Sequence, residues 1–289
     1  MPEHTHGRIS VRKTFKLYVG GAFPRSESGR TYEVTDAKGG FVANAARASR
    51  KDARDAVVAA RKAQAGWAGR TGYNRGQILY RVAEMLEGRY AQFVDELRTT
   101  GVTKQAAAAE VDAAIDRWVW YAGWADKLAQ VRGSANPVAG PYFDFSTPEP
   151  TGVVAVLAPP ESYLLGLVSV VAPVIVTGNT AVVVAAERGA CPAITLAEVL
   201  ATSDLPGGVV NLLTGHLPEI APWLASHMDV NAIDLTGAGE HAADLERAAA
   251  DNLKRVRRPG TAHDWHADPG TARMTTFLET KTVWHPVGT

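Results

Sequence analysis

The chain has 289 residues, 46% of them hydrophobic, enough for one large domain or two smaller ones around a packed core. Thirty basic and thirty acidic side chains cancel, so no overall field favours nucleic acid or an anionic membrane. The single cysteine, Cys191, excludes an internal disulfide framework and fits a reducing cytosol.

No apolar signal core follows Met1-Pro2-Glu3-His4-Thr5-His6. The longest apolar stretch, Leu164–Gly178, is shorter than the roughly 20 residues that span a bilayer, and Pro173 interrupts it. A cytoplasmic protein without a membrane segment is expected.

Leu17-Tyr18-Val19-Gly20-Gly21 and Ser28–Val34 read as two short strand-like runs around a turn. Ser49-Arg50-Lys51-Asp52 resembles a capping box and opens a helix whose Ala53, Ala56, Val57, Ala60, Ala63 and Trp67 share one face. A second helix is expected over Asn74–Arg98 and a third over Gln105–Leu128. Trp118 and Tyr121 in the third read as packing rather than a ligand cage.

From 131 to 152 the chain is punctuated by Gly133, Asn136-Pro137, Gly140-Pro141 and Pro148-Glu149-Pro150. Tyr142–Phe145 reads as a strand there, and its flanking prolines predict an edge or protruding position. Strands at Val153–Ala158, Thr180–Val184, Val209–Leu213 and Ala232–Leu235 then alternate with helices at Leu164–Val176, Ala193–Ser203, Leu217–Ser226 and Glu240–Asn252. Apolar runs alternating with helices predict an α/β fold, a Rossmann-like doubly wound parallel sheet covered on both faces. Arg255–Gly260 reads as a solvated basic linker, and Phe277–Trp284 as a terminal strand that must pair with another edge.

Three groups of residues invite chemistry. Thr236-Gly237-Ala238-Gly239 follows a strand and precedes a helix, so Gly237 and Gly239 fit a phosphate-binding turn or simply a turn that needs glycine. Cys191 lies in Glu187-Arg188-Gly189-Ala190-Cys191-Pro192, a loop entering an apolar helix, with no base or positive field to make thiolate. A small buried hydrophobe is the expectation there. His263, Trp265 and His266 have irregular spacing without clustered cysteines, so surface residues of a mobile linker are expected and no metal site; His4 and His6 are equally uninformative.

Taken together, several stretches resemble the aldehyde dehydrogenase superfamily. Leu17–Gly21 with Ser28-Gly29-Arg30-Thr31 is similar to its opening hairpin, and Asp52–Trp67 to the helix after it. Thr151–Pro159 is similar to the strand entering its active site. Gly178-Asn179-Thr180, Asp204–Asn211, Leu213-Thr214-Gly215 and Thr236-Gly237 match its cofactor domain in order, and Phe277–Pro286 resembles the strand completing its oligomerisation sheet.

That resemblance implies five segments: residues 1–130, a hairpin and helices packing on the cofactor-type domain; 131–152, a first oligomerisation segment; 153–256, the Rossmann-like domain; 257–274, a linker; and 275–289, an oligomerisation strand. It implies NAD or NADP as cofactor, with Glu187, Thr236, Gly237 and Gly239 as the matching contact positions. Other functional positions depart from the family. Pro160, Glu161, Ser162 and Tyr163 stand where the family has Trp-Asn-Phe-Pro, so the acceptor Glu161 replaces an oxyanion-hole donor. Val184, Ala185 and Ala186 stand in place of its Lys-Pro-Ser, so the ribose-binding lysine is lost, and Ala238 replaces a serine on the pyrophosphate. After Asp251–Val256 the catalytic domain, with its cysteine and glutamate, is missing between the linker and the terminal strand. No catalytic residue is assigned. The outline is most similar to the shortened second domain of the two-domain, class sixteen enzymes, here as a separate chain.

Three functions remain open on the sequence. One is a pseudoenzyme subunit docking on a full-length aldehyde dehydrogenase, or on itself, through 138–153 and 275–286. Another is an NAD(P)-dependent oxidoreductase acting on aldehydes. The third is a binding protein that senses a nucleotide in the degenerate crevice.

Overall fold

The Ser49 hydroxyl accepts the Asp52 amide while the Asp52 carboxylate accepts the Ser49 amide at 2.7 Å, so the first long helix starts with the expected reciprocal cap. Asp52 is buried, and it also receives the Ser26 hydroxyl and the Glu27 amide, which ties the preceding hairpin to the helix. These contacts are taken from a computed structural model describing residues 13–260 and 263–288. His4 and His6 lie outside the described residues.

Three short strands open the fold: β1 (Thr14–Phe15), β2 (Thr31–Thr35) and β3 (Phe41–Ala46), with β3 in the middle. The Leu17–Gly21 run, expected to be a strand, makes only single bridges, Tyr18 with Leu212 and Val19 with Ala22. Its Gly20 and Gly21 both have positive φ, which turns the chain before a ladder can extend.

Helix α1 (Arg50–Ala68) is followed by α2 (Gly72–Glu87), α3 (Tyr90–Thr99), α4 (Lys104–Trp124) and the short α5 (Leu128–Arg132). The single helix expected over Asn74–Arg98 is thus two. Gly88 ends the first, and its poor helix propensity makes it a favourable place to leave the helix. Trp118 and Tyr121 are fully buried, as packing residues should be.

The centre is a parallel sheet of β6 (Val153–Leu157), β7 (Thr180–Val184), β8 (Val210–Leu213), β9 (Ala232–Asp234) and β10 (Arg255–Arg257), preceded in sequence by β4 (Ser134–Asn136) and β5 (Tyr142–Pro150). The spatial order is β10-β9-β6-β7-β8. Helices α6 (Leu165–Val176), α7 (Ala190–Ala201), α8 (Leu217–Ser226) and α9 (Ala242–Ala249) connect the strands. Alternate residues serve opposite faces. Val154, Val156, Ala181 and Val183 pack with α2, α3, α4, α6 and α7, whereas Val153, Ala155, Leu157 and Val182 pack with α1, α8 and α9. The sheet is doubly wound, as its apolar strands imply.

Residues 255–257 are a correction to the sequence reading. They form the fifth strand rather than a solvated linker: Arg255 donates to the Asn231 carbonyl, and the Arg257 carbonyl accepts the Leu235 amide. The alternating Arg-Val-Arg puts only Val256 towards an apolar layer, which hides the strand from a hydrophobic pattern.

The segment after β10 also differs from a mobile linker. Trp265, Arg273 and Met274 are buried, and α10 (Ala272–Thr276) leads into β11 (Leu278–Pro286). β11 pairs antiparallel with β5 from Leu278↔Pro150 to Pro286↔Tyr142, and β4 pairs with β5 at Asp144–Ser146. β5, expected at an edge, is therefore central at its middle. Pro148 and Pro150 sit beyond the reach of β4, where only β11 needs a partner.

Candidate functional site

Strand order reverses at β6: the chain winds outward through β7 and β8, then returns to place β9 on the other side. Crevices of this kind, at the carboxyl ends of the strands, are where doubly wound folds hold ligands. Pro159–Leu164 leaves β6 here, and Leu235–Gly239 leaves β9. Glu110, reaching from α4, accepts the Ser162 hydroxyl and the amides of Leu164 and Leu165, fixing the start of α6. Glu161 accepts the Trp265 indole N–H at 3.1 Å, so its carboxylate holds the tail of the chain.

The structure distributes the four cofactor positions read from the sequence along this edge. Thr236, Gly237 and Gly239 lie after β9, and Glu187 lies beyond β7. β6 lies between those two strands, so the strands themselves run about 10 Å apart. Three of the four are already engaged. Glu187 faces the His216 Nδ1 at 2.9 Å, and its carbonyl accepts the Tyr32 hydroxyl. The Thr236 hydroxyl donates to Asp234 and accepts from Arg273 at 3.2 Å. The Gly237 amide donates to the Leu157 carbonyl, and a Cβ on Gly237 would lie 2.0 Å from the Ala158 oxygen. Gly237 is thus required by close packing of the turn on β6. Gly239 has φ +54° and open space around it, so its role is backbone conformation.

These residues do not fit a dinucleotide. The buried Val184, Ala185 and Ala238 offer no side-chain donor, the carboxylate just beyond β7 faces an imidazole, and the first glycine amide is spent on the Leu157 carbonyl of β6.

Cys191 lies in the first turn of α7 and is 3% exposed. Burial, reinforced by the nearby Glu96 carboxylate, pushes its thiol up to about 12, with Lys13 opposing weakly. A thiol in that state is not a nucleophile at neutral pH. Trp265, expected at the surface, is buried beside His263 with ring centroids 4.8 Å apart, because it joins the apolar core while its indole N–H is satisfied by Glu161; His266 is exposed. Among the described residues no three His, Cys, Asp or Glu side chains are grouped to hold a metal ion. No helix among them is long and apolar enough to cross a membrane.

Sequence reasoning missed the residues that do converge here. Asp234, 1% exposed, receives the Thr236 amide at 2.9 Å and Arg273 at 3.1 Å, with Arg257 at 3.9 Å. Their positions are too scattered along the chain for any local pattern to show.

A doubly wound parallel sheet bearing a three-stranded arm defines the class as an α/β protein of the dinucleotide-fold type. The Aldehyde dehydrogenase family model matches residues 23–258, and the chain belongs to that family. Aldehyde dehydrogenase, cytosolic 1 of Elephantulus edwardii is 32% identical over 259 residues, covering 86% of this chain and 50% of the relative. Retinal dehydrogenase 2 of Homo sapiens is 32% identical over 251 residues, covering 84% and 48%. An aldehyde dehydrogenase of Bacillus cereus solved with NAD+ superposes with a TM-score of 0.81 at 26% identity, covering 84% of this chain and 50% of that one. HpcC from Thermus thermophilus gives 0.80 at 29% identity, with 84% and 47% covered. The chain spans about half the length of the curated relatives it matches.

Proposed function

We propose that this chain is a catalytically deficient subunit of the aldehyde dehydrogenase family that assembles with a full-length aldehyde dehydrogenase. One observation carries the reading: the only cysteine in the sequence is buried, and its thiol is held protonated to about 12. The path from β10 to β11, residues 258–277, contains no other. Without a thiolate the thiohemiacetal route from an aldehyde to a thioester is closed.

The arm supports the second half of the reading. Along Leu278–Pro286, β11 pairs with β5 on one side, and its other side has no strand among the described residues. A free edge of nine residues is a template for strand addition. Tyr142, Phe143, Trp284 and Val287, each more than 40% exposed, add apolar area beside it.

Co-expression with a complete aldehyde dehydrogenase encoded nearby tests the proposal. A stoichiometric complex that survives size exclusion is expected. Separate elution of the two chains at micromolar concentration contradicts it.

A further inference from the structure

Three guanidinium groups from distant parts of the chain meet at one small cavity. Arg117 comes from α4, Arg257 from the end of β10 and Arg273 from α10, and the space they line measures about 190 Å³. His263 joins them, and Asp264 and Asp268 stand at the mouth. Arg117 and Arg273 are 8% and 7% exposed, an unusual depth for arginine.

Bonds within the protein do not exhaust these donors. Arg117 gives Nη1 to the Ser169 hydroxyl and Nη2 to the carbonyls of Trp265 and Ala267, all neutral acceptors. Arg273 gives Nη1 to Asp234 and Thr236, whereas its buried Nη2 has no partner among the described residues. Arg257 Nε, 3.9 Å from Asp234, and His263 Nε2 are also buried without a hydrogen bond among them.

Of the nearby acids, Asp234 pairs with Arg273 at 3.1 Å, Asp268 supports the charge of Arg117 without a hydrogen bond to it, and Glu161 accepts the Trp265 indole. Asp264 and Asp268 are exposed, and their carboxylates accept the amides of His266 and Gly270 in their own turns. Buried cationic donors without an acceptor are costly, and native proteins supply a partner or a ligand. Guanidinium forks suit the paired oxygens of a carboxylate or a phosphoryl group.

We propose that this cavity binds a small oxyanion, a carboxylate or a phosphoryl group, held by Arg257, Arg273 and His263 with Arg117 adding charge from behind. The volume equals that of about six waters, which admits such a group and excludes a dinucleotide. The site adjoins the Thr236–Gly239 turn through the Arg273–Thr236 hydrogen bond, but neither Gly237 nor Gly239 lines it, and it does not depend on assembly with a second subunit.

Calorimetric titration of the full chain with inorganic phosphate and with sodium acetate, each at constant ionic strength in chloride, tests it. Saturable binding of at least one probe is expected, together with a rise in melting temperature that chloride does not reproduce. Saturation by phosphate alone assigns a phosphoryl ligand, and by acetate alone a carboxylate. Arg257→Gln, at a residue that makes no side-chain hydrogen bond among the described residues, is expected to weaken binding about tenfold. His263→Ala gives a second reading with the Asp234 cluster intact and should also weaken it. Flat titrations with both probes overturn the proposal, and so does binding that both variants leave unchanged.

Discussion

Arg273 donates to the Asp234 carboxylate at 3.1 Å, and both side chains are almost wholly buried. That pair fastens the segment after β10 to the carboxyl end of β9. The Thr236 amide and hydroxyl complete the coordination of the same carboxylate, so one acid organises both the turn and the tail. Burial depresses the Arg273 guanidinium's affinity for its proton, and the neighbouring Asp234 charge opposes that effect.

Removal of Asp234 leaves buried Arg273 without its counter-charge. Breaking a buried pair from one side costs roughly 3–5 kcal/mol. Asp234→Ala should therefore lose most of that in urea unfolding, with Arg273→Met less than additive in the double variant. A loss below about 1 kcal/mol for Asp234→Ala contradicts the assignment.

The two glycines of the β9 turn should respond differently. A Cβ at Gly237 meets the Ala158 backbone oxygen, which cannot swing aside, so Gly237→Ala should cost at least the upper end of about 1–3 kcal/mol. Gly239 needs only a left-handed conformation in open space, which asparagine adopts, so Gly239→Asn should stay within about 0.5 kcal/mol. Equal losses in thermal unfolding would refute the packing role of Gly237.

Local chemistry makes much of this fold legible in the sequence. Ser49 and Asp52 spell their own cap, and the apolar runs at 153–157, 180–184 and 210–213 announce buried parallel strands. Longer-range effects were not legible. Phe41–Ala46 is a strand because β1 and β2 flank it, although its alanines favour a helix. Arg255–Arg257 hides a sheet strand behind two charges. The turn at Thr236–Gly239 fits either a cofactor contact or a turn that needs glycine on the sequence; in the fold Gly237 packs on β6 and Thr236 serves Asp234 and Arg273. Arg117, Arg257 and Arg273 meet only after the tail has folded back.

Cys191 gives a prediction in pH. Its thiol ionises near 9.0 when free and near 12 in the fold, so between those values the folded chain keeps a proton that the unfolded chain has released. This group leaves stability undiminished below about pH 9 and reduces it as pH rises towards 12. Cys191→Ala should flatten that part of the stability profile. In the native protein, iodoacetamide should not label the thiol at about pH 8, where a free thiol is already partly ionised, within the time that labels the urea-unfolded chain. Rapid native labelling would refute its burial.

The arm should govern assembly without governing the fold. Trp284 is 58% exposed and touches Tyr142 edge to face at 5.7 Å, so Trp284→Glu should lower the stability of the chain alone by no more than about 1 kcal/mol. At an interface, loss of a tryptophan anchor costs about 2 kcal/mol or more, a weakening of about thirtyfold or greater. Sedimentation velocity of the mixture with a full-length dehydrogenase reads that change. An unaltered complex would place the contact elsewhere.

The most direct measurement is NADH or NADPH formation by the purified chain supplied with short aldehydes and either nucleotide. A subunit whose only thiol is sealed in the core should give no turnover above a blank, with or without Cys191→Ala. Sustained turnover that is lost in Cys191→Ala, from material free of any full-length dehydrogenase, would contradict this account at its root.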